Sequence, residues 1–192
     1  MLRRYFLHAL PLLGAPRLLA AGDGAAGAWR RLKAGRHVVL IRHAATVPGI
    51  GDPVGFRIDA CATQRNLSAA GRNDARRIGA AFREHRIPIA DVLSSRWCRC
   101  LDTAQLAFGR VQPAPMIDSM FTDNDAARER KLRALRAFLK GYQAAGNLVL
   151  VTHDVNIRAL VGEGVGQGDM VLATIAPDGT LVKVGMLFLP PP

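Results

Sequence analysis

The chain has 192 residues, 49% of them hydrophobic, a length and content that suit one folded domain with an ordinary core and exclude a disordered chain. Lys and Arg outnumber Asp and Glu by 26 to 15, for a net charge of +11. The basic residues are spread over several helical segments, aromatics are only 6%, and no nucleic-acid motif is present, so the charge reads as solvated helix faces with a fraction focused on an anionic substrate.

The N-terminus reads as an address. Met1-Leu2-Arg3-Arg4 is a basic start, Tyr5 to Ala21 is largely apolar, and small residues follow, including Ala26-Gly27-Ala28, an A-x-A cleavage pattern. Arg3-Arg4-Tyr5-Phe6-Leu7 resembles the twin-arginine export signature. The apolar run, broken by His8, Pro11, Pro16 and Arg17, is too short and interrupted to span a bilayer. An export signal over residues 1–28 is expected, ahead of a catalytic domain over 29–192, with the mature chain starting between Gly22 and Trp29. The expected destination is the periplasm, without stable membrane insertion once the signal is removed. In that oxidising compartment Cys61 could bridge to Cys98 or to Cys100, with buried free thiols as the alternative.

Trp29 to Ala34 predicts one or two helical turns closed by Gly35. His37-Val38-Val39-Leu40-Ile41-Arg42-His43-Ala44 follows. Its four aliphatic residues, three of them β-branched, predict a short strand buried on both faces, as in the middle of a parallel sheet. The stretch to Asn66, with Pro48, Gly49, Gly51, Pro53 and Gly55, predicts a long functional loop. It carries Arg57 and Arg65, either of which could reach over a bound anion. Ser68 caps a helix to about Arg86, with Ala75, Ile78 and Phe82 on its buried stripe. Asp91-Val92-Leu93 is a strand ending in Ser94-Ser95-Arg96, and a helix runs from Trp97 to Phe108, closed by Gly109. Val111 to Ile117 reads as extended and Asp118 to Asp125 as an acidic loop. A charged helix opens at Asn124 or Asp125 and runs to Lys140, with Leu132, Leu135 and Leu139 as its core stripe. Asn147 to Thr152 is another buried strand, ending in His153-Asp154, and Val155 to Val161 is a helix closed by Gly162. Met170 to Ile175 and Thr180 to Phe188 predict a hairpin turning through Pro177-Asp178-Gly179. This alternation makes the class α/β: three layers, α/β/α, around a mainly parallel sheet with a C-terminal β-hairpin.

In such sheets ligands bind beyond the carboxyl ends of the strands. Three strands end in Arg42-His43, in Ser95 leading to Arg99, and in His153-Asp154. Two histidines, arginines and a helix N-terminus suit phosphoryl transfer. Arg forks pair with phosphate oxygens two at a time, an imidazole can attack phosphorus, and a carboxylic acid can protonate the leaving alcohol. Arg42 beside His43 would repel a metal ion, which disfavours a metal hydrolase built on His43, His153 and Asp154.

On these residues the chain resembles the histidine phosphatase superfamily, with its phosphoglycerate mutase-like fold. Arg42-His43-Ala44 resembles the R-H-G signature. Leu67-Ser68-Ala69-Ala70-Gly71 with Ala75 is similar to the L-[ST]-x-x-G helix start, with Asp74 for the long amide. Ser95, Arg99, Thr103 and Ala104 match S-x-L-x-R-A-x-Q-T-A, with Trp97, Cys100 and Asp102 as departures, and Val151-Thr152-His153 matches the second histidine motif. The resemblance implies His43 as phosphorylated nucleophile, Arg42 and Arg99 as phosphate clamps with Ser95 beside them, and His153 as the second histidine. For the proton donor it implies Asp123, where one branch places a Glu after the third strand, or Asp154, the Asp of a His-Asp pair in the phytase-like branch. The surrounding motifs favour Asp123. The expected activity is that of a metal-independent, cofactor-free phosphomonoesterase. Its expected substrate is a small extracytoplasmic phosphate ester, such as a sugar or envelope phosphate. A phosphoprotein phosphatase and a catalytically silent phosphate-binding module are the alternatives.

Overall fold

The computed structural model describes residues 24–188. Most of the expected export segment, residues 1–23, lies outside the described residues. Its last five residues form the first half of helix α1 (Gly24–Lys33), which is longer than the turn or two expected and has Gly27, Ala28 and Leu32 buried. Trp29 stacks on His85 with ring centroids 4.2 Å apart and meets Phe82 edge-on at 5.4 Å, so the helix is fastened by its own aromatic anchor.

Strands β1 (Val38–Arg42), β2 (Ile89–Ser94), β3 (Gln112–Pro113), β4 (Asn147–Thr152), β5 (Met170–Ile175) and β6 (Leu181–Leu187) form one sheet in the order β3-β2-β4-β1-β5-β6. The first four are parallel; β5 runs antiparallel to both β1 and β6. β3 is much shorter than the extended stretch expected, because Pro113 and Pro115 have no N–H for a ladder, and Pro115–Ile117 turns as a 3-10 helix instead.

The unbroken aliphatic run of β1 is explained by two cores. Val39 and Ile41, with Val149, Val151 and Leu172, pack towards α1, α2 (Ala69–Glu84) and α3 (Cys98–Phe108), whose Leu32, Ile78, Phe82, Ala104 and Ala107 share that core. Val38 and Leu40, with Leu148, Leu150 and Val171, pack on the other face with Leu135 and Leu139 of α4 (Asp125–Lys140) and Ile157 of α5 (Asp154–Val161). Leu132, expected in the α4 stripe, is only half-buried, beyond the edge of that core.

Two helices are pinned directly to the end of β1. Ser68 caps α2, its Oγ accepting from Gly71 N at 3.0 Å, and its own N–H donates to Ala45 O at 3.0 Å. A Cβ on Gly71 would lie 1.8 Å from that same Ala45 carbonyl oxygen, so only glycine allows the approach. Thr103 of α3 accepts from Ala44 N at 3.0 Å and donates to Arg99 O at 2.7 Å. The Gly of L-S-x-x-G and the Thr of T-A therefore both hold the turn that carries His43. Gly→Ala inside a helix ordinarily stabilises by about 1 kcal/mol. Here Gly71→Ala should instead cost roughly 1–3 kcal/mol through the forced backbone shift, read as a lowered Tm, whereas Ala70→Gly, one residue earlier and exposed, should cost only the ordinary helix propensity.

Candidate active site

The register of the parallel β1–β4 pair places Arg42 opposite Thr152, and that of the β2–β4 pair places Ser94 opposite Val151, so the three strand ends meet at one sheet edge. A cavity of about 580 Å³ opens there, lined by Arg42, His43, Asp52, Arg65, Arg99, His153 and Asp154 among others. His43 and His153 are 3% and 4% exposed, with ring centroids 5.4 Å apart.

His43 Nδ1 lies 3.0 Å from Ala44 O, a contact in which the ring N–H donates to the carbonyl and leaves Nε2 with its lone pair. Burial pushes the ring's pKa down to about 3; the Ala44 hydrogen bond opposes this, and the charges of Arg99, Arg42 and Arg65 add to it. His153 is likewise held well below the ordinary histidine value by burial, then by His43 and the nearby cations. Its Nε2 sits 2.9 Å from Ser95 Oγ and 3.5 Å from Cys100 Sγ, which leaves Nδ1 as the ring nitrogen available to the cavity. Ser95 therefore stands behind the second histidine, with Asp118 beyond it at 3.4 Å, and does not line the cavity. Ser95, expected among the phosphate ligands, is placed here against the far side of His153.

The cations divide in a similar way. Arg42 donates Nη1 to Val165 O at 2.6 Å. Arg65 lines the cavity and donates to Gly49 O. Arg57 does not reach the cavity: it closes on Asp59, two residues along the same loop, at 2.9 Å, and both side chains are exposed. Arg99 is 4% exposed and meets Asp52 end-on, Nη1 to Oδ1 at 2.6 Å and Nη2 to Oδ2 at 3.2 Å. Asp52 also accepts from Trp97 Nε1 and from Arg65 N, each at 2.9 Å. Burial alone would raise its carboxyl, but the Arg99, Arg65 and Trp97 hydrogen bonds together outweigh burial and hold it below the usual range. The Nε atoms of Arg42, Arg65 and Arg99 are buried without a partner among the described residues. All three of these arginines line the cavity, and three guanidinium groups there suit an anion such as phosphate.

Asp52 was not singled out in the sequence, where an Asp in a Gly/Pro-rich loop looks like a turn residue. The loop is fastened to α3 by three devices. They are the Asp52 pairs, the Cys61–Cys98 disulfide, and Gln64, whose Oε1 accepts from Cys98 N at 3.0 Å. Cys100 remains a free, buried thiol, pushed up to about 12 by burial.

The two candidate proton donors separate. Asp154 lines the cavity, its oxygens accepting from Val165 N at 2.8 Å and Arg158 Nη2 at 3.2 Å. Asp123, the favoured one, is drawn out of the site by Lys131 of α4 at 2.7 Å and lines no part of the cavity. Lys131 also donates to Ser119 O at 2.9 Å, so it fixes the whole turn in that direction.

Two outcomes follow from these burial patterns. Breaking a buried pair leaves an uncompensated charge, so Asp52→Asn should lose roughly 3 kcal/mol or more, on the order of 10 °C in Tm. Inorganic phosphate should raise the variant's Tm by more than it raises the wild type's, since it supplies the missing anion; an equal or smaller rise would contradict this role. The unfolded chain protonates its histidines near pH 6.5, whereas folded His43 resists until about pH 3, so the unfolded state binds more protons between these values. Stability should therefore fall as pH drops from 6.5, and His43→Gln should flatten the Tm-against-pH slope between pH 6.5 and 5.

Residues 38–125 match the profile of the histidine phosphatase superfamily, branch 1. A search of curated protein sequences found no match. Among solved structures, the fold is similar to the protein histidine phosphatase SixA complexed with tungstate: 15% identity, TM-score 0.55, covering 79% of this chain and 96% of that one. It is also similar to an Escherichia coli protein put forward as an alpha-ribazole-5'-P phosphatase, at 20% identity and TM-score 0.58, covering 78% and 96%. A mycobacterial glucosyl-3-phosphoglycerate phosphatase is a third, at 17% identity and TM-score 0.51, covering 72% and 90%. At these identities the likeness is one of fold. The matched profile covers residues 38–125, and the two histidines on adjacent parallel strand ends lie where that resemblance to the histidine phosphatase superfamily expects them.

Proposed function

We propose that the protein is a metal-independent phosphomonoesterase that works through a phosphohistidine on His43 and is exported to the periplasm. The observation that carries this reading is a neutral imidazole, tied at Nδ1 so that Nε2 keeps its lone pair, in a cavity lined by Arg42, Arg65 and Arg99. The phosphate of an ester binds across Arg42, Arg65 and Arg99. His43 Nε2 attacks phosphorus, the P–O bond to the alcohol breaks, and the departing oxygen takes a proton from Asp154, the candidate donor that lines the cavity. His153 Nδ1 donates to a phosphate oxygen while Nε2 accepts from the Ser95 hydroxyl, which stabilises charge that grows in the transition state. Water then attacks the phosphohistidine, giving its proton back to Asp154 and releasing phosphate and a free His43.

Export rests on the basic and apolar start of the sequence. Cleavage ahead of Gly24 would leave α1 whole, whereas cleavage after Ala28 would remove a buried residue of the core. Among the described residues no helix is long and apolar enough to cross a membrane.

Quenching with labelled substrate should trap an acid-labile, alkali-stable label on the peptide containing His43. His43→Ala should abolish label and turnover. His153→Ala should slow turnover by roughly a hundredfold or more, the size expected for a lost electrostatic donor, and leave the label on His43. Asp154→Asn should harm hydrolysis of an alkyl phosphate far more than that of an aryl phosphate, whose oxide leaves unaided. Activity should survive EDTA and yield to vanadate. Label on His153, or full turnover by His43→Ala, would overturn the assignment.

A further inference from the structure

The large hydrophobic side chains that stand exposed among the described residues are Val47, Ile50, Val54, Phe121, Val182 and Phe188. Scattered singly, such residues need no explanation. Four of these six lie on the two segments that border the cavity: Val47, Ile50 and Val54 on the loop after β1, and Phe121 on the turn that precedes α4. Ile50 and Phe121 line the cavity although they are 94% and 61% exposed. Phe121 approaches Gly51 closely enough that a Cβ there would lie 3.9 Å from its ring, so the two segments meet across the mouth. Phe56, Trp97 and Val155 continue the apolar wall inwards, with the Phe56 and Trp97 rings 5.9 Å apart.

The polar side chains of the same wall are few: beyond the charged groups and the histidines, only Ser119, Thr122 and Gln167 line it. The arginines and histidines serve the phosphate, Gln167 Nε2 donates to Thr46 Oγ1 at 3.2 Å, and Ser119 Oγ accepts from Phe121 N at 3.3 Å. A sugar hydroxyl laid against the Ile50 and Phe121 side chains themselves would gain no hydrogen bond from them, and the Thr122 hydroxyl is too little to serve a whole sugar ring. A hydrocarbon would gain by covering those side chains.

We infer that the ester's alcohol is apolar: the substrate class is an amphiphile whose phosphate sits on Arg42, Arg65 and Arg99 and whose hydrocarbon body lies along Trp97, Phe56, Ile50 and Phe121. This rests on the phosphatase reading for its chemistry and on the surface of the cavity for its selectivity. The apolar rim is continuous with the cationic floor, so one ligand with a charged head and an oily body satisfies both. A sugar phosphate satisfies only the floor.

The test separates binding from turnover. Dissociation constants are measured by calorimetry for ethyl-, butyl-, hexyl- and octylphosphonate, which have no ester bond to cleave, each below its micelle concentration. In parallel, kcat/KM is measured for the matching n-alkyl phosphates and for glucose 6-phosphate, all esters of primary alcohols. Affinity should improve about twofold to fourfold per methylene, the upper figure being that of a fully buried group. Octyl phosphate should exceed glucose 6-phosphate in kcat/KM by more than tenfold. Ile50→Ser combined with Phe121→Ser should flatten the chain-length slope towards unity. A flat phosphonate series, or glucose 6-phosphate hydrolysed as well as octyl phosphate, would overturn the inference while leaving a phosphatase. A steep phosphonate series with no ester hydrolysed would uphold the apolar wall and defeat the phosphatase reading instead. A slope unchanged in the double variant would also overturn it, since the chain would then lie on some other surface.

Discussion

Arg42 pairs with Thr152 across the parallel β1–β4 ladder, and the residues that follow them, His43 and His153, therefore leave the sheet side by side. A slip of one residue in that register would turn each aliphatic side chain of β1 from one core to the other. Because Val38 and Leu40 fill one core and Val39 and Ile41 the other, a slip would require both cores to repack. The reactive geometry is thus fixed by the packing of a hydrophobic sheet, with little left for the polar residues to decide. What they do decide is orientation: Ala44 O sets the His43 tautomer, and Ser95 holds the far side of His153.

That arrangement brings several positive groups into one small, buried space. Repulsion among Arg42, Arg65 and Arg99 is visible at Arg65, whose guanidinium is held below its ordinary value by burial first, then by Arg99 and Arg42. Asp52 relieves part of this repulsion by meeting Arg99 end-on with both side chains nearly sealed from water (5% and 7% exposed). The carboxylate takes the two Nη groups and leaves the Nε edge, so it neutralises without occupying the whole cation. The same pair helps to seat the loop.

The sheet was legible in the sequence because strands buried on both faces are written as plain aliphatic runs, and because Gly109 and Gly162 stop α3 and α5 in left-handed conformations. The arginine and histidine pairs at the strand ends were legible for the same reason: they break those runs abruptly. Long-range partners were not. Nothing local distinguishes Arg57 from Arg65, yet Asp59 claims the first and the cavity receives the second. Asp123 sits where a proton donor was expected, but its direction depends on Lys131, eight residues on and one helix away. The choice of Cys98 over Cys100 depends on which side of α3 faces the loop, since Cys98 begins the helix and Cys100 points beneath His153.

The departures from the family's motif find their meaning in this packing. Cys100 stands where a smaller residue is usual, and its thiol, pushed up to about 12 by burial, is no nucleophile. It fills the space under the second histidine and donates weakly to Thr152 O at 3.6 Å. Trp97 supplies one side of the apolar wall and spends its only polar atom on Asp52. Its ring also meets His153 edge-on, at 5.5 Å. One side chain therefore touches Asp52, the partner of Arg99, and the second histidine, His153, and forms part of the apolar wall. Trp97 thus belongs both to the apolar wall and to the network that holds the charges, so a substitution there would disturb the two together.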